Sequence, residues 1–345
     1  MKRVTIISRQ SDTPSMDIRM LADALSATGC FDVKIMCKRL AGNYAEYSFH
    51  MLEQIREIRR SDVLIVDGYC IVNSLFKHPR KLKVIQMWHA LAAIKQFGWQ
   101  TVGKADGSSE KVAKLMKMHR GYDYVLSSSD ITAKYFCEGF RTGRDHVVKI
   151  GLPRIDYILS NNPEEKNEIL RRHPKLQENH GHIMLYVPTF RKGRTVDAES
   201  LAKEATAAGY TVVVKLHPLD KTELEQQDNV IVDTEFNSYA WLKVADVIVS
   251  DYSSYVVEAS LTDKPLYLYT YDKEEYMDGT GLNVNFAEEP IAKYEFRSAK
   301  DLVDDARAGE YDYEALRAFR NRYIDIDTDN CTGQIVKFIE EITAR

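Results

Sequence analysis

The chain has 345 residues, 44% of them hydrophobic and 28% charged, with a formal net charge of −4. Such a length points to two domains rather than one core, and no run of about 18 apolar residues exists to span a bilayer. The start, MKRVTIISRQSD, has too short an apolar segment for a signal peptide, and the five scattered cysteines show no metal-ligand spacing, so reduced thiols in a cytosolic protein are expected and a zinc site is not.

In chain order, VTIIS (4–8) reads as a first strand. The segment after it has Pro14 near its start, apolar Ile18, Leu21, Ala22 and Leu25, and Gly29 beyond its end, which predicts an amphipathic helix. FDVKIMC (31–37), DVLIVD (62–67), KVIQM (83–87), DYVLSS (123–128) and HVVKI (146–150) continue a series of apolar strands alternating with helical patterns. That alternation implies a parallel sheet covered on both faces. GLPRID (151–156) breaks the pattern with Gly and Pro and reads as a hinge. After a polar segment, a second series opens with HIMLYVP (182–188), YTVVVKLHP (210–218), NVIVD (229–233), DVIVS (246–250) and PLYLYTY (265–271), and the stretch from about 313 reads as helical. The expectation is an α/β protein of two doubly wound, Rossmann-like domains, 1–150 and 151–345, facing across a cleft.

Charge is unevenly spread. Residues 1–150 hold 24 Lys and Arg against 15 Asp and Glu, and residues 151–345 hold 23 against 36, or +9 and −13. A basic half implies an anionic partner, or simple attraction between the two halves.

Parallel sheets bind ligands beyond the carboxyl ends of their strands. There this sequence places Trp88 and His89 after KVIQM, Thr189, Phe190 and Arg191 (with Lys192 and Arg194 behind) after the 182–188 strand, His217-Pro218 after TVVVKL, and Asp251, Tyr252, Ser253 and Ser254 after DVIVS. In SDYSSYVVEASL (250–261) a strand leads through a hydroxyl-bearing turn into a helix beginning near Tyr255. A helix start offers unpaired N–H groups to an anion. One serine serves as the N-cap that helices favour; two in a row leave a hydroxyl to spare. His173, His180 and His182 sit in the polar segment and read as solvated, whereas His89 and His217 each end a strand. An imidazole there can take a proton from a hydroxyl or steady phosphate charge. Asp251 is the nearest candidate for a divalent ion, with shaping of the turn as its other reading. A glycine-rich dinucleotide fingerprint, a phosphate-binding loop and a nucleophile elbow are all missing from the sequence, which argues against NAD enzymes, P-loop NTPases and α/β-hydrolases.

QMWHALAAIKQFG, GLPRIDYIL, LYVPTFRKG, VVKLHP, ADVIVSDYSSYVVEA and KPLYLYTYDKEEY occur in this order. Together, from about residue 60 to the C-terminus, they resemble the CDP-glycerol glycerophosphotransferase family, which builds teichoic acids and some capsule polymers. The resemblance implies a GT-B fold, with the nucleotide held mainly by the C-terminal domain, and transfer of polyol phosphate from a CDP-activated donor to a hydroxyl with release of CMP. It makes His89 and His217 catalytic, and places Ser253, Ser254, Arg191, Thr189 and Asp251 around the donor phosphates. No cofactor is implied beyond a divalent ion that can balance the pyrophosphate. Ala90 and Leu91 depart from the commoner Trp-His-Gly-Thr-Pro form toward one resembling primases and ribitol-phosphate transferases, so CDP-glycerol and CDP-ribitol both stay open as donors.

A lipid-linked glycan acceptor implies work at the inner face of the cell membrane. SSEKVAKLMKMHRGY (108–122) has Val112, Leu115, Met116 and His119 at helical spacing beside Lys111, Lys114 and Lys117, which suits an anionic lipid surface and equally an ordinary surface helix. The rival readings are a GT-B glycosyltransferase using a nucleotide sugar and a non-catalytic nucleotide- or polyanion-binding protein. Nucleic-acid binding is not expected, since neither a recognisable module nor an aromatic-basic stripe occurs.

Overall fold

A computed structural model describes every residue except 41–43, 105–106, 179–181, 192, 218–219, 221, 225–228, 280 and 345. Lys192, His180 and Pro218, singled out above, therefore lie outside the described residues.

The chain divides into two compact units, Met1–Tyr157 with Tyr323–Arg345, and Ile158–Arg322. Unit 1 is built on six parallel strands: β1 (Lys2–Ser8), β2 (Phe31–Cys37), β3 (Val63–Val66), β4 (Lys83–Gln86), β5 (Tyr124–Ser127) and β6 (Val147–Lys149), in the order β2-β1-β3-β4-β5-β6. Unit 2 has six more, β7 (Ile183–Tyr186), β8 (Thr211–Val214), β9 (Val230–Val232), β10 (Val247–Ser250), β11 (Leu266–Tyr269) and β12 (Glu295–Phe296), ordered β12-β11-β10-β7-β8-β9 and again parallel. The runs VLIV, IMLY, TVVV and LYLY are buried at every position. Strands apolar on both faces are what a sheet covered by helices on both sides demands.

The strand order reverses between β1 and β3 in unit 1 and between β7 and β10 in unit 2. At such a switch point the flanking connections leave on opposite faces and open a crevice at the carboxyl ends.

The helix predicted after β1 runs Met16–Ala27. Ser15 accepts the Ile18 N–H as its N-cap, and Ile18, Leu21, Ala22 and Leu25 are buried as their spacing requires. Asp17 is buried on the same helix. Its carboxylate accepts the Arg154 backbone N–H at 2.8 Å and Nε at 2.9 Å.

That bond bears on the division at 150/151 expected from the sequence, from which the structure differs at two places. Residues 151–157 stay with unit 1, because Arg154 is tied to Asp17 and a Cβ on Gly151 would lie 2.7 Å from Cys331 Sγ, Ile155 and Ile326. GLPRID is thus packed and largely helical (Pro153–Leu159), where Gly and Pro alone read as a hinge. The last helix, Cys331–Ala344, also belongs to unit 1. Asp156 accepts the N–H groups of Cys331 (2.7 Å) and Thr332 (2.8 Å) at its start. No sequence-local signal marks this return.

Candidate functional site

In unit 1 the loops after β1, β3 and β4 carry Arg9 and Gln10, Gly68 and Tyr69, and Trp88 and His89. Trp88 adopts φ +63°, a left-handed backbone rarely taken by a large residue. It is held by its N–H donating to Gln86 Oε1 (2.9 Å) and by its ring among Phe97 (4.5 Å), Phe140 (5.3 Å) and Phe136 (6.0 Å). Gly98, at φ +56°, lets this aromatic cluster close, since a Cβ there would sit 2.3 Å from the Gly139 carbonyl oxygen. The apolar run therefore ends with Trp88 anchored inward and His89 turned out to solvent.

His89 Nδ1 lies 2.7 Å from the Asp67 carbonyl oxygen and 3.3 Å from Gln10 Nε2. A carbonyl only accepts, so Nδ1 carries the proton and the lone pair falls on Nε2, the tautomer a base requires. Beneath it, the Asp67 carboxylate is 3% exposed. Oδ2 accepts the Ser8 hydroxyl at 2.7 Å, and Oδ1 has no hydrogen-bond partner among the described residues. Burial pushes its pKa up from 3.8 to about 6, against the opposing Ser8 hydrogen bond.

In unit 2 the carboxyl ends of β7, β8 and β10 bring the other candidates together. Asp251 is fully buried and accepts the Thr189 N–H (2.9 and 3.0 Å) and hydroxyl (2.6 Å). Arg191, 5% exposed, pairs with Asp251 (2.9 Å), donates Nε to Asp272 (2.6 Å) and donates Nη1 to the Thr189 carbonyl (2.7 Å). Burial works against its charge, but Asp251 and Asp272 outweigh that and hold the guanidinium pKa above its usual range. Its guanidinium also lies 4.8 Å from the Tyr276 ring, which stacks on Tyr252 at 4.0 Å. Arg191, Thr189 and Asp251, expected around the donor phosphates, are thus bonded to one another. The arginine's charge is already balanced by two carboxylates, and both Asp251 oxygens are engaged, so neither presents charge at the surface. Among the described residues no group of three or more His, Cys, Asp or Glu is placed to hold a metal ion.

The clamp fixes Phe190 between its ends, and the Phe190 ring lies 5.3 Å from the exposed ring of His217. On the other side of β7, the helix Tyr255–Ala259 starts where expected. Ser253 Oγ accepts the Tyr255 N–H (3.2 Å), whereas Ser254, the half-exposed N-cap, makes no side-chain capping bond. One hydroxyl caps; the other is spare.

Two sequence expectations change. The helix in 108–122 covers only Glu110–Leu115, and left-handed residues at Lys117 and His119 carry the chain inward, so His119 is 6% exposed and bonded to the Tyr122 hydroxyl at 2.9 Å. His173 is half-buried against Trp241 (5.4 Å), while His182 is exposed as expected. Arg9 was missed by sequence reasoning. It follows β1 directly, but nothing local reveals that β1 flanks a switch point.

A family model described as CDP-glycerol:poly(glycerophosphate) glycerophosphotransferase matches residues 2–341. The teichoic acid ribitol-phosphate primase of Bacillus spizizenii is 26% identical over 98% of this chain and 90% of its own length. The teichoic acid glycerol-phosphate primase of Bacillus subtilis is 25% identical over 85% of this chain and 77% of its own. Among solved structures, the wall teichoic acid polymerase TagF superposes with a TM-score of 0.74 at 18% identity, covering 99% of this chain and 88% of that one. MnaA of S. aureus in complex with UDP gives 0.62 at 15%, covering 99% and 96%. These structural likenesses bear out the fold expected from the sequence, α/β with two Rossmann-like domains.

Proposed function

The chain belongs to the CDP-glycerol:poly(glycerophosphate) glycerophosphotransferase family and is a polyol-phosphate transferase; we propose that it moves glycerol phosphate from CDP-glycerol to a hydroxyl of a lipid-linked teichoic acid or capsule acceptor, releasing CMP. The observation that carries the mechanism is the hydrogen bond from His89 Nδ1 to the Asp67 carbonyl, which leaves Nε2 as the basic nitrogen. Nε2 takes the proton of the acceptor hydroxyl. That oxygen forms a bond to the glycerol-bearing phosphorus, and the bond from this phosphorus to the CMP oxygen breaks, its electron pair leaving with CMP. Ser254, with Ser253 beside it, donates to the donor phosphates. His217 steadies charge on the transferred phosphate or on the leaving group. Arg191, Thr189 and Asp251 hold the loop and turn that carry these groups, a positioning role supported by their burial and mutual bonds. Positioning and electrostatics then supply most of the rate.

We place the enzyme in the cytoplasm, at the inner membrane face. Among the described residues no helix is long and apolar enough to cross a membrane. The short helix Glu110–Leu115 instead exposes Val112 (48%) and Leu115 (71%) beside Lys111, Lys114 and Lys117, which suits an anionic lipid surface. Equal retention by neutral and anionic vesicles would count against this.

Ribitol is the second reading, favoured by the breadth of the match to a ribitol-phosphate primase. Calorimetric titration with CDP-glycerol, CDP-ribitol, CMP and a UDP-sugar decides among the donors. Tight binding of one CDP-polyol supports the reaction and names the polyol. Binding of the UDP-sugar alone would sink it.

A further inference from the structure

A base at His89 needs a neighbouring surface that holds the molecule whose hydroxyl it deprotonates. Unit 1 contains a cavity of about 370 Å³ whose lining includes Arg9, Gln10, Gly68, Tyr69, Trp88 and Met118. The volume falls in the range of small-molecule sites, roughly 300–1,000 Å³. Arg9 and Gln10 come from the loop after β1, Tyr69 from the loop after β3 and Trp88 from the loop after β4, with Thr101, Ser108 and His119 from the segment between β4 and β5 closing the wall, so the cavity sits at the switch point of this sheet and directly beside His89.

Arg9 is half-buried in this wall, its guanidinium 5.1 Å from the centre of the Tyr69 ring. Tyr69 is itself fixed by donating its hydroxyl to the Met116 carbonyl at 2.7 Å. Among the described residues no carboxylate lies within ion-pair distance of Arg9, whereas Arg154 has one and Arg3 and Arg191 have two each. The groups its charge bears on are neutral: Tyr47, Tyr69, Cys70, Tyr122 and His119. His119 is driven down to about 3, by burial first and by Arg9 second. A partly desolvated cation without a counter-charge is costly unless an anion arrives, and a guanidinium fork matches phosphate oxygens. Of the remaining lining, Trp88, Val112, Met116 and Met118 suit the carbon skeleton of a small polyol, and Thr101 and Ser108 offer hydroxyls beside it.

We propose that this cavity is the acceptor subsite, binding the phosphate-bearing terminal polyol of the acceptor with its phosphate on Arg9 and its hydroxyl at His89. The proposal rests on the reaction given above, and the phosphate it recognises has two sources, the acceptor's terminal unit and the donor's distal group.

The test uses the full chain saturated with CMP, probed by calorimetry with sn-glycerol 3-phosphate and, separately, with glycerol. The wild type is expected to bind the phosphorylated probe and not glycerol. Arg9→Gln should weaken the probe about 10- to 100-fold, and Arg9→Lys, which keeps the charge but not the fork, should retain part of the affinity. In turnover, KM for a glycerol-phosphate-terminated acceptor should rise in both variants while KM for CDP-glycerol stays within about twofold. Unchanged probe binding in Arg9→Gln overturns the site, as does a defect confined to CDP-glycerol, which would assign Arg9 to the donor. If Arg9→Gln does not fold, Arg9→Lys binding the probe as tightly as wild type, with no rise in acceptor KM, overturns it equally. A chain that binds the probe but no CDP-polyol removes the proposed reaction and leaves this anion site standing.

Discussion

The carboxyl ends of the two sheets use the same raw materials in opposite ways. In unit 2, Arg191 is sealed between Asp251 and Asp272, and the charges cancel inside the protein. In unit 1, Asp67 is buried with one oxygen unpartnered among the described residues, and Arg9 faces a cavity without a carboxylate. A basic residue at a strand end therefore says little until its partner is known. Paired, it is a rivet; half-buried without a carboxylate among the described residues, it is the receptor we propose for an anion from outside the chain.

The largest test of this contrast is at His89. Removing a general base typically costs about 10²- to 10⁴-fold, so His89→Ala should lose that much single-turnover rate with CDP-glycerol affinity intact. Near-normal turnover would move the chemistry elsewhere. Next comes stability. Arg191→Ala strands two buried carboxylates and should lower the unfolding free energy by about 3–5 kcal/mol, whereas Arg9→Ala should cost about 1 kcal/mol or less, the worth of its aromatic contact. Similar losses at both positions, read from urea midpoints, would erase the distinction.

The buried carboxylate under His89 supplies a pH test. Near pH 4 the unfolded chain releases the Asp67 proton, while the folded chain keeps it until about 6. Stability should therefore fall as pH rises through that window, by up to about 3 kcal/mol, and level off above it. Asp67→Asn should lack this fall, so parallel urea-midpoint curves for the two proteins between pH 4.5 and 7.5 would refute the sign. The smallest effect separates the two serines. Ser254→Ala should weaken CDP-glycerol about tenfold, as the loss of one hydrogen bond to a charged group does, with little change in stability. Ser253→Ala should show the reverse emphasis, losing about 1 kcal/mol of capping. Identical profiles would mean that neither hydroxyl is spare.

Much of this was legible in the sequence because it is local. Strands apolar on both faces, the helix after β1, the place of His89 at a strand end and the helix start at Tyr255 all follow from spacing and turn chemistry within a dozen residues. What escaped is set by distance along the chain. Arg191 reads as a strand-end cation facing the donor phosphates, and its two carboxylate partners stay hidden because Asp251 and Asp272 stand 60 and 81 residues away. Arg9 reads as part of a strand exit because its importance depends on β3 arriving beside β1. His119 keeps helical spacing with Leu115, but left-handed residues at 117 and 119 take it out of register and into the core.

The return of the last helix to unit 1 has a consequence for synthesis. The helix Cys331–Ala344 packs against the helix Met16–Ala27, and Asp156 receives its first N–H groups. Residues 1–157 leave the ribosome first, yet their fold lacks this piece until all of unit 2, residues 158–322, has been made. At roughly 5–20 residues per second the early unit waits many seconds with one helix face uncovered. Unit 2, continuous in sequence, completes first. The part of the chain that is born first is finished last.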